Sequence, residues 1–131
     1  MYFQVLAAVE YLHNNEIAHL DIRPKACLLD ASRQKLKLGS FGNAREIQED
    51  ILEPLDRCSP EFASPEIAQC LPVSFPSDIF SLGTLLYSCL TGLSPFLAVN
   101  DKVGMRQILK DSYLICLGNP TEGQERRISS I

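Results

Sequence analysis

The side chains best suited to chemistry in this 131-residue chain lie in one short string, HLDIRPKA at residues 19–26. In this string the carboxylate of Asp21 stands two residues before the guanidinium of Arg23. Two further motifs follow in order: SFG at 40–42, whose serine lies fourteen residues after the end of the first string, and SPE at 64–66. A histidine and an aspartate separated by one residue carry little information alone. Three such motifs in a fixed order are far more specific.

Metal chemistry through cysteine or histidine is not indicated. The cysteines form no C-x-x-C pair, and neither His13 nor His19 stands at zinc-finger spacing from a cysteine. The number of cysteines, five, is odd, so they do not pair off as a disulfide framework. We predict reduced thiols that are buried as small hydrophobic residues in a cytosolic protein. The five are Cys27, Cys58, Cys70, Cys89 and Cys116.

Composition excludes several classes of protein. The chain is 46% hydrophobic and 21% charged, as in soluble globular domains, and it is too hydrophobic to be wholly disordered. No apolar run approaches the roughly 20 residues of a membrane span, and the first residues lack the basic region of a secretory signal. The formal net charge of −4 argues against a nucleic-acid surface. The length fits one domain with a real core.

Hydrophobic periodicity predicts the elements that position the motifs. Residues 1–14 form an amphipathic helix, with Val5, Val9 and Leu12 on one face. An apolar run at 27–29 and a period-two alternation of lysine and leucine at 35–38, separated by a turn-like stretch, predict a small hairpin. From 39 to 72 the pattern is irregular, and a loop of this length is usually functional.

The strongest later pattern is a buried helix. Ser77 or Asp78 is predicted to cap it and Gly92 to end it. Apolar residues between them cover most of its circumference, so the helix must be surrounded by neighbours. A weaker helix is predicted at about 100–110, and the periodicity then fades into a solvated tail.

Together with SDIFSLG at 77–83, the three motifs resemble those of protein kinases. HLDIRPKA resembles the catalytic loop, SFG the D-F-G magnesium motif and SPE the A-P-E motif. The resemblance covers about residues 1–110. It implies a mainly α fold with one small β-hairpin, the incomplete C-terminal (large) lobe of the protein-kinase-like fold, with a divergent and flexible tail at 111–131.

Longer strings, among them IAHLDIRP, SFGNAREI and PVSFPSDIFSLGTLLY, narrow the resemblance to calmodulin-kinase-type domains. They look most like the kinase domains of obscurin and of the striated-muscle SPEG protein, then Trio and kalirin. This resemblance implies protein partners of a cytoskeletal or sarcomeric kind, a cytoplasmic location, and ATP and magnesium as the cofactors of the family.

The chain departs from the family pattern at the metal ligands. The D-F-G aspartate that holds magnesium corresponds to Ser40, and the catalytic-loop asparagine that holds the second ion corresponds to Ala26. A hydroxyl and a methyl group cannot replace a carboxylate and an amide as ligands of a hard cation. Asp21 keeps the position of the base, and Arg23 keeps the charge of the catalytic-loop lysine without its geometry. We therefore predict no metal site and no cofactor for this chain.

The resemblance implies structural roles for other residues. His19 and Phe41 match residues that stack across the lobes, and Leu28 matches the floor of the adenine site. Asp78 matches a carboxylate that accepts backbone N–H groups of the catalytic loop. The remaining matches are Gly42 in the SFG motif, Glu66, whose family arginine partner is missing here, and the phosphorylation-like string RRIS, with Ser129 as acceptor.

Simpler explanations stand beside these roles. Asp21 can be a hydrogen-bonded loop carboxylate, and SPE can be an ordinary helix start with proline in its first turn. Core packing is the preferred explanation for His19 and Phe41, and for three residues at helical or strand spacing, Leu28, Leu85 and Cys89.

Two functional hypotheses remain open, with a third that assigns no function. The first is a degenerate serine/threonine kinase fragment, a pseudokinase, that acts through protein contacts. The alternative is part of a full-length kinase that transfers phosphate from ATP to protein hydroxyls. The sequence holds no G-x-G-x-x-G loop and no V-A-I-K lysine, and their presence upstream would favour the alternative. The third is an unstable splice or gene-model product.

Overall fold

The computed structural model describes residues 1–47, 55 and 59–96. The predicted helix at 100–110, the tail at 111–131 and Ser129 lie outside the described residues. The helices are α1 (Tyr2–Asn14), α2 (Pro65–Ala68) and α3 (Phe75–Thr91), and the strands are β1 (Ile17–Ala18), β2 (Cys27–Leu29), β3 (Leu36–Leu38) and β4 (Arg45–Glu46), with 3₁₀ turns at Pro24–Ala26 and Phe41–Asn43.

The first helix agrees with its prediction to within one residue. Val5 and Val9, one turn apart on α1, are both buried. They pack with Ile22 of the HLDIRPKA string and with Leu82 and Leu85 of α3. This apolar cluster fixes the string between the two long helices.

The predicted hairpin is present, and a second strand pair accompanies it. Strands β2 and β3 are antiparallel, with Leu28 opposite Lys37. Strands β1 and β4 also pair antiparallel, Ala18 opposite Arg45, so the prediction of a single hairpin was wrong. Strands of two residues are too short to show a period-two pattern, which is why the sequence did not reveal them.

The central helix begins earlier than predicted. Ser74 precedes it in extended backbone and a proline stands in its first turn. Ser77 and Asp78, the predicted caps, are buried within the helix, because their side chains bond to other segments. The predicted end at Gly92 is confirmed: its φ of 73° is the left-handed conformation that glycine adopts at low cost.

One side of α3 is buried and the other is not. The buried face carries small polar residues together with Leu82 and Leu85. Ile79, Leu86 and Leu90 are 58%, 37% and 77% exposed, and their spacing places them along one outer face. We call these three residues the α3 outer face. In the described part of the chain, the helix therefore lacks the neighbours that its apolar circumference calls for on this side.

The described cysteines are free thiols but are not all buried. Cys27 is half-buried, whereas Cys70 and Cys89 are exposed. Burial raises the pKa of the Cys27 thiol, with a smaller contribution from Cys89. No helix in the described ranges has the length and apolar character needed to cross a membrane.

Candidate functional site

The HLDIRPKA string is held in place by one buried carboxylate. Asp78, fully buried in α3, accepts the backbone N–H of His19 at 2.7 Å and that of Leu20 at 2.8 Å. The Nε2 atom of His13, at the end of α1, donates to the same carboxylate at 2.9 Å. Hydrogen bonds to an ionised acceptor are about twice as strong as neutral ones. Asp78 therefore ties together α1, α3 and the start of the string.

The backbone of the string is strained where Asp78 binds it. Leu20 has a φ of 60°, which is unusual for a bulky residue, yet its side chain is buried. Such a conformation costs on the order of 1–3 kcal/mol and persists only where surrounding contacts enforce it. The hydrogen bond from Leu20 to Asp78 and the burial of the leucine side chain offset this cost.

His19 connects the string to the SFG motif. Its Nδ1 accepts the backbone N–H of Asp21 at 3.3 Å, so Nε2 carries the proton and donates to the carbonyl of Gly39 at 2.8 Å. Its ring meets that of Phe41 edge-on, with centroids 5.0 Å apart. The N–H of Gly39 in turn donates to the carbonyl of Ala26 at 2.8 Å. Because Gly39 bonds to both His19 and Ala26, its neighbour Ser40 lies beside both ends of the string.

Asp21 and Arg23 form an ion pair in the middle of the site. Arg23 Nε donates to Asp21 Oδ2 at 3.1 Å, and both side chains are partly exposed. One carboxylate oxygen is thus occupied by the guanidinium, and the other can accept a hydrogen bond from a hydroxyl group. The pair supplies a positioned carboxylate but no second acidic ligand.

The two positions that would bind magnesium in the family do not fit a cation here. Ala26 is fully buried and offers only a methyl group, and Ser40 offers a neutral hydroxyl. Among the described residues no group of three or more His, Cys, Asp and Glu side chains could hold a metal ion. These side chains therefore do not support a metal-dependent reaction step.

The matched apolar positions are more exposed than core packing predicts. Leu28 is 56% exposed, Phe41 is 49% exposed and Cys89 is also exposed, so the core prediction was wrong for these three residues. His19 and Leu85 are buried as predicted. Gly42 has open space around an added Cβ, so this backbone does not require glycine there. At Gly39 a side chain would be crowded, since an added Cβ would lie 3.0 Å from Leu28 Cδ1.

Glu66 is not left without a partner. The Ser77 hydroxyl donates to Glu66 Oε1 at 2.5 Å, which corrects the expectation of an unsatisfied carboxylate. The simpler explanation of SPE is confirmed as well: Ser64 precedes α2, Pro65 begins it and Glu66 lies in its first turn. Here the motif connects α2 to α3.

Sequence reasoning missed two kinds of site residue. His13 and Ser77 contact the site across 65 and 11 residues of sequence, and no local pattern marks such contacts. The chain also forms a cavity beside Arg23 that includes Lys25, a residue to which the motif comparison gave no role. The sequence feature that could have indicated this cavity is the pair of cations, Arg23 and Lys25, within three residues.

Comparison with known proteins identifies the family. The model of the protein kinase domain matches residues 1–130, so the chain belongs to the protein kinase domain family. The match agrees with the predicted resemblance and extends through the region predicted to be divergent.

Two of three similar proteins are named for muscle, and the third is a myosin light chain kinase. The chain is 45% identical over 98 residues to the muscle M-line assembly protein unc-89 of Caenorhabditis elegans, covering 75% of the chain and 1% of that protein. It is 39% identical over 100 residues to the striated muscle preferentially expressed protein kinase of Danio rerio, covering 76% and 3%. It is 37% identical over 107 residues to myosin light chain kinase 3 of Danio rerio, covering 81% and 15%. The chain thus spans a small part of the length of these relatives.

Proposed function

We propose that this chain is a kinase-type fragment without phosphotransfer activity, a pseudokinase that acts through contacts with other proteins. The observation that carries the proposal is the pair of side chains at the magnesium positions, Ser40 and Ala26. Phosphoryl transfer depends on metal ions that neutralise the charge on the phosphates, and these side chains cannot hold them.

The lobe assignment is part of the proposal. A helix, a string with an ion pair, a hairpin, the short helix α2 and a long central helix follow in the order expected for the C-terminal lobe. We assign residues 1–110 to an incomplete lobe and 111–131 to a divergent tail. The hydrogen bonds of Asp78 and His19 hold the string and the SFG motif in position, although the metal ligands of the family are replaced.

The names of the relatives support a setting in muscle. Two of them are named for the M-line and for striated muscle, and we extend this setting to the chain as a proposal. Its partners would then be cytoskeletal or sarcomeric proteins in the cytoplasm, without nucleic acid.

One observation favours the alternative of an active kinase. The carboxylate of Asp21 is partly exposed and is positioned by Arg23. A base that orients a substrate hydroxyl needs both properties. A phosphate-binding loop and its lysine upstream would favour this alternative, although Ser40 and Ala26 would still supply no metal ligand. The sequence of the full transcript on both sides shows whether that loop and lysine are present.

Magnesium is expected to add nothing to nucleotide binding. Thermal unfolding of the chain with ATP and magnesium should give the same midpoint as with ATP and a chelator, because Ser40 and Ala26 provide no metal ligand. A magnesium-dependent kinase measured in the same buffers serves as the positive control. A metal-dependent stabilisation of about 1 kcal/mol or more would contradict the proposal.

Restoring the two metal ligands is expected to be insufficient for activity. The Ser40→Asp, Ala26→Asn double variant of this chain should transfer no phosphate from ATP to a serine/threonine peptide, because the sequence lacks the Gly-rich loop and lysine that hold the phosphates. The assay measures radiolabel incorporation, and the triple variant with Asp21→Asn sets the background. Transfer above that background would refute the argument.

A further inference from the structure

Two cysteines, Cys27 of β2 and Cys89 of α3, meet where the hairpin packs against the central helix. Cys27 is half-buried and packs against the apolar cluster that contains Leu82 and Leu85. Cys89 stands one helical turn after Leu85, so its side chain lies on the same side of α3. The two thiols therefore approach each other from two elements that are distant in sequence.

The ionisation of the neighbouring groups supports this placement. Burial raises the pKa of the Cys27 thiol, and Cys89 adds a smaller rise. Burial likewise raises the pKa of Tyr2, again with a smaller rise from Cys89. One acidic group raises the pKa of another in this way only when the two lie close together. Tyr2 is itself fixed on α3, since its hydroxyl donates to the carbonyl of Leu82 at 2.9 Å.

The two thiols differ in their access to solvent. Cys89 is exposed, so an oxidant in solution reaches it, whereas Cys27 is half-buried. The raised pKa of Cys27 keeps it in the less reactive thiol form at neutral pH. Redox-sensing cysteines are accessible and are often paired with a second cysteine that resolves the first oxidation product. Cys89 and Cys27 match these two roles.

We propose that Cys27 and Cys89 form a reversible oxidation site, which hydrogen peroxide converts to a disulfide within one chain. One peroxide oxygen is transferred to the sulfur of Cys89, which becomes a sulfenic acid, and the other leaves as water. The sulfur of Cys27 then attacks the sulfur of Cys89, and an S–S bond forms while the S–O bond breaks. The departing hydroxyl takes the proton of the Cys27 thiol and leaves as a second water. In total, two thiols lose two electrons and two protons to one peroxide.

The disulfide joins the end of the HLDIRPKA string to the central helix. Cys27 directly follows Ala26, whose carbonyl accepts the N–H of Gly39 at 2.8 Å. Cys27 is the first residue of β2, and Cys89 lies two residues before the end of α3. The ends of elements are where the backbone adjusts most easily to the geometry that a disulfide requires. Oxidation thus sets how firmly the string is held to α3, whether or not the chain transfers phosphate.

Oxidation of the 131-residue chain tests the proposal. The reduced chain is treated with hydrogen peroxide, remaining thiols are blocked with N-ethylmaleimide in urea, and linked peptides are identified by mass spectrometry without reduction. The main product should be a monomer in which the peptides of Cys27 and Cys89 are joined, and dithiothreitol should restore both thiols. When peroxide is added in urea, the preference for this pair should disappear, because only the fold brings the two thiols together.

Three variants locate the pair. Cys27→Ala and Cys89→Ser should each lower the yield of cross-linked monomer at least about tenfold, because the remaining thiol loses the partner that the fold holds beside it. The matched control is Cys70→Ser, which removes another exposed thiol. Cys70 follows α2, whose Ile67 packs into a different apolar cluster, so this variant should leave the yield within about twofold.

The outcomes that overturn the proposal are distinct. They are no disulfide in the folded chain, disulfides mainly between two chains, a main product that involves any other cysteine, and the same pairing in urea. If Cys27→Ala does not fold by circular dichroism, Cys89→Ser at its exposed position supplies the test. An undiminished yield of cross-linked monomer in Cys89→Ser also overturns the proposal.

Discussion

Replacement of Asp78 by alanine is expected to lower the free energy of unfolding by about 3–5 kcal/mol. The substitution leaves the buried N–H groups of His19 and Leu20 without an acceptor, and each such loss costs about 1–3 kcal/mol. It also removes the partner of His13 and the contact that offsets the strained backbone of Leu20. A small domain has about 5–15 kcal/mol in total, so a large fraction of the stability would be lost.

Urea unfolding followed by circular dichroism measures the effect. Asp78→Asn keeps one acceptor oxygen but places an NH₂ group against donors, so we expect a loss that is smaller than that of alanine but still large. A loss below about 1 kcal/mol for Asp78→Ala would show that the hydrogen bonds from His13, His19 and Leu20 to Asp78 do not stabilise this arrangement.

The control is an exposed aspartate with local bonds only. Asp30, in the turn between β2 and β3, accepts hydrogen bonds from Ser32, Gln34 and Lys35. Asp30→Ala should shift the urea midpoint far less than Asp78→Ala. The Ser32 hydroxyl lowers the pKa of Asp30 in the folded chain, so this small contribution is present above the ordinary pKa of aspartate and is lost as the pH falls through the lowered value.

Self-association of the chain through the α3 outer face is the second large expected effect. Ile79, Leu86 and Leu90 are exposed along one line of the helix, and exposed apolar patches mark interfaces or aggregation sites. Size-exclusion chromatography with light scattering should show oligomers rather than the 14.6 kDa monomer. The Leu86→Lys, Leu90→Lys double variant should shift the population to monomer, because two charges on the face resist burial.

A matched variant separates this face from exposed apolar surface in general. Phe3 on α1 is 82% exposed and lies off the α3 outer face, so Phe3→Lys should leave the association unchanged. A monodisperse wild-type monomer with a cooperative melting transition would contradict the prediction. Adding an N- or C-terminal kinase lobe segment in trans should raise solubility if the exposed face is a lobe surface.

Local elements of the fold were accessible from the sequence because short-range patterns specify them. The period of Val5 and Val9 defines α1, the alternation at 35–38 defines the hairpin, and Gly92 marks the end of α3. The order of the three motifs predicted the kinase family, which the family match shows independently. Each of these features depends on residues close together in the chain or on a fixed motif order.

The tertiary structure decided what joins distant segments. Asp78 looked like a helix cap, yet its carboxylate accepts bonds from residues 58, 59 and 65 positions away. Glu66 gained Ser77 as a partner, and residues 23–25 and 59–62 came to line one cavity. Hydrogen-bond partners and cavity walls depend on how the elements pack, and this packing depends on burial across the whole chain. Helix periodicity and turn residues, in contrast, act within a few positions.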